Sequence, residues 1–482
     1  MTQLVPFFLY GWIIAGPVLF WFLAPRLAAM VVAVGGFLFL PVANFDPIRD
    51  QGVALPYWIM PTALPSQFWL TKATAVGLSL LLGMFVPIVA PRRKPGAYGV
   101  ARTAAPRDLF HQPRFKLPDV FMLVWCLWPA VSGLSRDLPL ADSAAMTTYQ
   151  TLAWGVPYLA GRIYFTEADA LGELADALMY GALLNIPICL IEFIAGPKVY
   201  GWLYGFHPYA QDGVVRYFRS RPLGFFELGN QSGIYLSSVA LLAVWLATHG
   251  RKRRVARIPM RLCAIILVLL AILAQGVGAI LLAVGGLALL FLLQRLRALW
   301  PLAAVGGILL LAAVALGGIV LTHHESAIEH SRIGQIAGEI LDLGGRHSLA
   351  WRLHRDALHL PAGMQHPITG SARWDWWDTP GDANRDSRAR PWDLPLLVLG
   401  MYGSGGLLLW LGIMWLPVLS ALRMMHPRFW PLPMAAAPVA LCGVVGVMFF
   451  DSLLNSPVFL PLLLASGGLA HMRTAGAREV RP

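Results

Sequence analysis

The ten residues Arg221-Pro-Leu-Gly-Phe-Phe-Glu-Leu-Gly-Asn230 join a polar, arginine-rich loop to a long apolar segment. Arg216 and Arg219 stand just upstream of this stretch. A guanidinium close to hydrocarbon is costly unless it is paired, so three arginines at the mouth of a membrane-crossing segment need a partner. An anion that arrives from the lipid side, such as a lipid-linked phosphate, would supply one, because Arg binds phosphate oxygens with parallel hydrogen bonds.

The composition of the whole chain is typical of a polytopic helical membrane protein. Its 482 residues are 57% hydrophobic and 13% charged, and the mean hydropathy is +0.63, well above that of soluble domains. Windows of roughly 17–25 apolar residues recur, each long enough to cross about 30 Å of hydrocarbon. The apolar runs are continuous, whereas the strands of a membrane β-barrel would alternate. The four cysteines lie in such runs without CxxC spacing, which indicates buried hydrophobic residues.

Hydropathy predicts an all-α fold with about 12–13 transmembrane helices and a large helical external loop. The predicted spans are residues 4–23, 27–42, 70–90, 118–134, 144–163, 173–195, 223–248, 261–276, 278–294, 300–321, 393–421, 431–450 and 456–471. The apolar run at 261–297 is divided into two spans, because Gln275, Gly276 and Gly278 favour a tight hairpin.

Basic residues predict the orientation of the chain. Short loops rich in Lys and Arg stay in the cytoplasm, and the clusters at 92–116 and 251–261 then place the N-terminus outside and the C-terminus inside. The net charge of +12 is assigned to such loops and to lipid headgroups, not to nucleic acid. The predicted regions are an N-terminal transmembrane bundle at 1–321 with an external loop at 197–222, an external cap loop at 322–392, and C-terminal transmembrane helices with a cytoplasmic tail at 393–482.

Residues 347–360 of the late external loop predict an amphipathic helix. Apolar residues share one face at helical spacing: Leu349, Leu353, Ala357 and Leu360. Basic residues share another face: Arg352, Arg355 and His359. We expect this helix to lie against the mouth of the membrane domain with its basic face toward a cavity.

The arginines of the two external loops are the predicted anion ligands. They are Arg216, Arg219, Arg221, Arg346, Arg352 and Arg355. The alternative for any one of them is a structural role, in which it pairs with a loop aspartate or contacts lipid headgroups. Anion binding is favoured for Arg221, because it stands beside the helix mouth.

Other polar residues are candidates of different kinds. Trp374, Trp376 and Trp377 alternate with aspartates, a pattern that suits a sugar or, equally, an aromatic belt at the membrane interface. Polar groups at membrane depth are functional candidates by default; they are Glu192, Glu227, Asp451 and Asn455. We expect Glu227 to pair with a loop arginine. No spacing matches a metal site such as HExxH, so neither a metal nor a cofactor is predicted.

With these features the chain resembles the O-antigen ligase/polymerase superfamily, which comprises membrane glycosyltransferases of bacterial surface polysaccharide assembly. The family pattern at the start of a helix is similar to Arg221, Gly224, Phe226 and Asn230. A later family pattern is similar to Arg346, Trp351, Pro367 and Gly370, and the last loop, at 451–457, also fits.

Two positions depart from that family. The hairpin Gly276-Val277-Gly278 lacks the arginine that relatives carry there, and Trp392-Asp393 stands where ligases carry His-Asn. The second departure disfavours transfer of glycan to lipid A-core. It also leaves the group that activates the acceptor open among His366, Asp393 and Glu227.

The resemblance implies an inverting, metal-independent glycosyltransferase in the bacterial inner membrane, with its N-terminus periplasmic and its C-terminus cytoplasmic. It would polymerise undecaprenyl-diphosphate-linked repeat units into exopolysaccharide or O-antigen at the periplasmic face, with Arg221 central to diphosphate binding. Its partners would be the lipid-linked donor, a glycan acceptor, membrane lipids and a chain-length regulator. The alternatives are a ligase that moves glycan to lipid A-core or protein, and a transporter or flippase; the lack of an internal repeat disfavours the latter.

Overall fold

The computed structural model describes residues 4–42, 70–89, 115–205, 215, 217–250, 254–297, 347–377, 391–455 and 458–473. Most of this part of the chain is helical. Its strands are Arg254–Val255 and Ile258–Pro259, which pair as a short antiparallel hairpin. Arg216, Arg346, the predicted span at 300–321 and most of the basic cluster at 92–116 lie outside the described residues.

Within the described residues, seven helices are long and apolar enough to cross a membrane: Leu4–Phe22, Leu117–Leu134, Ala168–Ala195, Gly229–His249, Val277–Arg295, Leu394–Met424 and Pro433–Ser452. The shorter apolar helices are Pro25–Phe39, Lys72–Pro87 and Met260–Leu273. The remaining helical segments are Leu140–Gln150, Thr151–Gly155, Val156–Tyr164, Val199–Tyr204, His347–Gly363, Pro427–Phe429 and Leu462–Ala470. This arrangement agrees with an all-α, multi-pass membrane protein.

The predicted hairpin near residue 276 is confirmed. Helix Met260–Leu273 ends before it and helix Val277–Arg295 begins directly after it. Gln275 turns the chain with a φ of 53°, a left-handed conformation that few residues other than glycine adopt.

The helix predicted at 223–248 begins later, at Gly229. The preceding residues form a turn because the buried carboxylate of Glu192 accepts hydrogen bonds from the backbone N–H groups of Leu223 (2.7 Å) and Gly224 (2.6 Å). Gly224 has a φ of 58°, which favours glycine at this position. The turn brings Arg221 back over the start of the helix, which we call the motif helix (Gly229–His249).

The motif helix is the most enclosed of the candidate spans. Of its most apolar window 78% is buried, against 17% for Val277–Arg295. It packs against Met260–Leu273, Val277–Arg295 and Pro433–Ser452. The residues at its N-terminus are therefore held by several neighbouring elements.

Helix Leu394–Met424, the broken helix, is interrupted at Gly403, which has a φ of 68° and a ψ of −171°. Non-helical backbone at membrane depth is tolerated only where the protein satisfies its hydrogen bonds. Here the segment that follows helix His347–Gly363 satisfies those hydrogen bonds. We call His347–Gly363 the loop helix. Ser404 N–H donates to the Pro367 carbonyl (2.7 Å), and Ala372 N–H donates to the Met401 carbonyl (3.0 Å). The late loop is thus anchored to the membrane helices.

Candidate functional site

Arg221 lies inside the protein and is only 3% exposed. Its Nε donates to the Ala274 carbonyl (2.9 Å), and its Nη1 donates to Oδ1 of Asn230 (2.8 Å). A Cβ on Gly229 would lie 2.5 Å from Cδ and Nε of Arg221, so a larger residue cannot replace this glycine without moving the arginine. The guanidinium of Arg221 thus reaches the 274–276 hairpin, where this chain has no arginine of its own.

Asn455 connects Arg221 to the late loop. Its Oδ1 accepts hydrogen bonds from Asn230 Nδ2 (2.9 Å), Arg352 Nη1 (3.0 Å) and Trp392 Nε1 (3.3 Å). Arg352 also lies over the Trp392 ring, with its guanidinium carbon 5.1 Å from the ring centroid. We call Arg221, Asn230, Arg352, Trp392 and Asn455 the arginine–asparagine network. It joins the turn before the motif helix, the start of that helix, the loop helix, the segment just before the broken helix and the last loop.

Two buried carboxyl groups border this network. The Asn455 Nδ2 donates to Asp451 (2.9 Å), which is within electrostatic reach of Arg352 and Arg221. On the loop helix, Asp356 accepts the Trp392 N–H (2.5 Å) and also interacts with Arg352. The network therefore combines guanidinium groups with carboxyl groups that have little contact with water.

Asp356 and Asp393 form an acid pair, because the charge of Asp356 acts on Asp393. Burial raises the pKa of Asp356 to about 6, although hydrogen bonds from backbone N–H groups and the nearby arginines oppose that change. Burial, together with the charge of Asp356, raises the pKa of Asp393 well above its usual value. Asp393 Oδ1 accepts the Leu396 N–H (2.6 Å) and so caps the broken helix. The charge of Asp356 therefore opposes ionisation of Asp393.

Glu227 lies on the inner side of the turn and is completely buried. The Lys72 ammonium group is close enough to interact with it electrostatically. Lys72 donates to the Phe225 carbonyl (3.0 Å) and lies 4.5 Å above the centre of the Phe37 ring. We expected an arginine as the partner of Glu227, and the sequence reasoning overlooked Lys72. A lysine inside a predicted span was the signal that could have revealed it.

His366 lies beyond the opposite end of the loop helix from Arg352. At 1.5 Å per residue, the helix separates residue 352 from Gly363 by roughly 16 Å. His366 is partly exposed. Its pKa is lowered, firstly by its slight burial and secondly by the positive charge of Arg136. The structure therefore does not bring His366 into the arginine–asparagine network.

The predicted sugar-stacking tryptophans differ in exposure. Trp376 is 9% exposed and Trp377 is 2% exposed. The Trp376 ring packs so closely on the broken helix that a Cβ at Gly400 would lie 2.0 Å from it. These two rings therefore pack against the broken helix and each other in this structure, and sugar binding stays a prediction. Trp374 is only partly buried.

The other predicted ligands have separate locations. Arg219 is exposed, and Arg355 is buried within electrostatic reach of Asp356. Arg373, a neighbour of the tryptophans, makes two 3.0 Å hydrogen bonds to Asp375. Within the described residues, no group of three His, Cys, Asp or Glu side chains could hold a metal ion.

A small cavity lies beside Asp451 and Ser452, with a volume of about 20 Å³. This volume accommodates about one water molecule and no sugar. Arg352 and Trp392 are partly exposed, so a large anionic substrate would contact the network from their side.

No protein-family model matches this chain, and no curated protein matches it in sequence. Its function is therefore inferred from its residues and their arrangement.

Proposed function

We propose that this chain is a membrane glycosyltransferase that extends glycans carried on undecaprenyl diphosphate. The observation that carries this proposal is the arginine–asparagine network. It unites the Arg221–Asn230 motif with the last loop and the late loop, the three regions on which the resemblance to the O-antigen ligase/polymerase superfamily rests. We place the site at the periplasmic face of the bacterial inner membrane, as the arrangement of basic loops predicts.

In this proposal Arg352 contacts the diphosphate and Arg221 has a positioning role. Arg352 is partly exposed, and its Nη1 donates to the neutral oxygens of Asn455 and Leu454. These neutral acceptors orient the guanidinium, and the carboxyl groups of Asp356 and Asp451 lie within electrostatic reach of it. The phosphate would bind on the partly exposed side of Arg352, where a guanidinium can donate to its oxygens. Arg221 is enclosed and holds Asn230, which in turn holds Asn455.

The reaction would be a displacement at the anomeric carbon of the donor. A hydroxyl oxygen of the acceptor sugar attacks that carbon, and the bond from the carbon to the diphosphate oxygen breaks. The electron pair leaves with the lipid diphosphate, and Arg352 stabilises the resulting charge by roughly 3–4 kcal/mol, the contribution of one well-placed donor. The hydroxyl proton passes to Asp356, the carboxylate of the acid pair that interacts with Arg352. Attack from the face opposite the leaving group inverts the anomeric configuration.

The test uses the full-length protein in lipid nanodiscs with a synthetic undecaprenyl-diphosphate oligosaccharide. Mass spectrometry measures whether longer lipid-linked glycans form. We expect Arg352→Ala to lower the rate about 100-fold or more. The matched control is Arg373→Ala, which removes an exposed arginine of the same loop whose side chain pairs with Asp375.

Each outcome of this test has a definite meaning. Full activity of Arg352→Ala would reject Arg352 as the diphosphate ligand. Transfer to added lipid A-core, without extension of the lipid-linked donor, would show a ligase instead of a polymerase. If the wild-type protein transfers glycan to neither acceptor, the glycosyltransferase proposal is rejected.

A transporter is the second candidate, and two observations favour it. The bundle buries the interacting Lys72 and Glu227, and one of its long helices is broken at Gly403. Charged groups and discontinuous helices at membrane depth are common at transport sites. The same lipid-linked oligosaccharide in vesicles distinguishes the two functions, since a flippase would move it across the bilayer without changing its length.

A further inference from the structure

A second polar cluster lies at the other end of the bundle from the loop helix. Lys116 precedes helix Leu117–Leu134, and Arg136 follows it. Arg136 Nε donates to the Gly370 carbonyl (3.0 Å), which lies in the chain after the loop helix. The helix is roughly 27 Å long at 1.5 Å per residue, close to the thickness of the hydrocarbon core. Lys116 therefore stands at the opposite membrane boundary.

Asp119 is the centre of this second cluster. Its carboxylate accepts hydrogen bonds from the Lys116 N–H (2.9 Å) and the Tyr158 hydroxyl (3.0 Å). His471 Nε2 lies 2.8 Å from Asp119 Oδ1, and Arg162 Nη1 lies 3.4 Å from the same oxygen. These contacts fix the ends of several helices to one another.

The cluster has more basic side chains than Asp119 can neutralise. Arg162 and Arg473 are both within electrostatic reach of Lys116. Burial is the main reason that the pKa of Lys116 is lowered. The charge of Asp119 opposes this change, and the charges of Arg162 and Arg473 add to it. The neighbouring Arg26 and Glu167 are 2.6 Å apart and neutralise each other. Among the ion pairs of the described residues, Asp119 pairs with Arg162 and His471, and it also lies within electrostatic reach of Lys116.

An apolar stripe runs along the outer face of helix Leu117–Leu134 from this cluster. Its side chains are exposed at helical spacing: Leu117, Val120, Leu123, Leu127, Val131 and Leu134. Phe115, just before Lys116, is 67% exposed and packs on Arg162, whose guanidinium carbon lies 5.0 Å from the ring centroid. In a membrane such a stripe faces acyl chains, and the basic groups at its end lie at headgroup level.

We propose that an anionic phospholipid binds specifically at this end of the protein, with its phosphate among Lys116, Arg162 and Arg473 and an acyl chain along the Leu117–Leu134 stripe. Charge complementarity identifies the occupant, because a phosphodiester supplies the negative charge that the cluster lacks. The stripe explains why the anion would be a lipid and not free phosphate. This site is independent of the proposed glycosyltransferase site at the other end of the bundle.

The test measures lipid binding to the full-length protein in neutral detergent by native mass spectrometry. Phosphatidylglycerol is titrated against phosphatidylcholine of the same acyl chains. We expect selective binding of phosphatidylglycerol, and the double variant Lys116→Gln/Arg473→Gln should weaken it about thirtyfold, since each basic side chain contributes roughly fivefold near an anionic surface. Arg295→Gln/Arg297→Gln is the matched control, because it removes the same charge from two exposed arginines elsewhere.

Three results would overturn the proposal. The first is equal binding of the two lipids by the wild-type protein. The second is equal weakening by the control variant, which would indicate a general effect of net charge. The third is competition by inorganic phosphate at the same concentration as the lipid, which would show an anion site without lipid selectivity. Lys116 Nζ also donates to the Ala470 carbonyl, so Lys116→Gln removes a structural contact as well as a charge. Arg473→Lys keeps the charge at the other position and should retain binding. This variant therefore separates loss of charge from damage to the fold.

Discussion

The basic residues at the two ends of the bundle have different partners. At one end, Arg221 and Arg352 donate to the neutral oxygens of Ala274, Asn230 and Asn455. At the other end, the basic groups of Arg162 and His471 meet the carboxylate of Asp119. A neutral acceptor fixes the direction of a guanidinium, whereas a carboxylate in direct contact also offsets its charge. At the first end, the carboxyl groups of Asp356 and Asp451 act on Arg352 electrostatically.

The comparison indicates different roles for the two ends. The arginine–asparagine network is suited to binding an anion, since it contains two guanidinium groups and that of Arg352 is partly exposed. The Asp119 cluster is suited to holding helix ends together, and its excess basic groups extend to the membrane boundary. Changes of charge at the first end should therefore mainly affect activity, whereas changes of charge at the second end should mainly affect stability.

The largest effect on stability is expected for Asp119→Ala. It leaves Arg162 and His471 without their buried carboxylate, and removal of one partner from such a cluster typically costs about 3–5 kcal/mol. Thermal unfolding of the purified protein in detergent measures the change, with Asp169→Ala, an exposed acid, as the control. Equal melting temperatures for the two variants would contradict a stabilising role for this cluster.

The next effect is expected for Gly229→Ala. Its Cβ would lie 2.5 Å from Arg221, so the arginine would have to leave Ala274 and Asn230. Glycan extension should fall at least tenfold, by our order-of-magnitude estimate for misplaced site residues, with a lower melting temperature. The control is Gly285→Ala, where the added Cβ meets nothing within 4 Å and the helix should gain up to about 1 kcal/mol. Normal activity of Gly229→Ala would show that the position of Arg221 is unimportant.

Asn455→Asp would make the first end resemble the second. The new carboxylate would accept from Asn230, Arg352 and Trp392, as the amide does now, but it would oppose the charge of Arg352 and lose the hydrogen bond that Asn455 Nδ2 donates to Asp451. We expect glycan extension to fall several-fold at neutral pH. Relative to the wild-type rate at the same pH, it should recover partly in acid, where the carboxyl is protonated. Asn455→Ala removes the acceptor without adding charge, so its activity should not recover in acid. Identical pH profiles for both variants would contradict the importance of a neutral acceptor.

The smallest effect is expected from the titration of Asp356. Its pKa of about 6 lies above the value of about 3.9 for an unfolded Asp. The folded protein therefore binds this proton more tightly, and the stability that it contributes is complete below about pH 4 and is lost as the pH rises toward 6.

Melting temperatures of the wild-type protein and of Asp356→Asn, measured between pH 4 and pH 7, give this contribution as a difference. The difference should favour the wild type most at the acidic end and should shrink as the pH rises. Asp169→Asn serves as the control and should leave the wild-type profile unchanged. A difference that grows with pH would mean that the native state stabilises the carboxylate instead.

The sequence predicted those parts of the fold that depend only on the local pattern of apolar and turn residues within one segment. The predicted hairpin around Gly276 is present, as is the amphipathic helix near residue 350. The span that begins near residue 223 was placed too early because Glu192, on another helix, binds the backbone of the turn. A hydropathy profile does not reveal such a contact. The turn residues are mostly apolar, so the profile includes them in the span.

The candidate site was predicted in part. The sequence indicated Arg221 and Arg352 among six predicted anion ligands and placed Arg221 at the centre of anion binding, whereas the structure encloses Arg221. It also grouped His366 with them, although the length of the loop helix separates His366 from Arg352. The burial of Trp376 and Trp377 was not predictable, because an aromatic cluster has the same sequence pattern whether it binds a sugar or packs on a helix.

By itself the sequence determined that this is a helical protein with many apolar spans, and it marked the loops in which the arginines concentrate. Those properties follow from the local match between apolar run length and bilayer thickness. The tertiary structure alone decided which partner each charged group has. Asn230 and Asn455 are 225 positions apart, and Lys72 meets Glu227 from a different helix. Such pairs form only when the helices pack, and many alternative pairings of the same residues have similar energies until packing selects one.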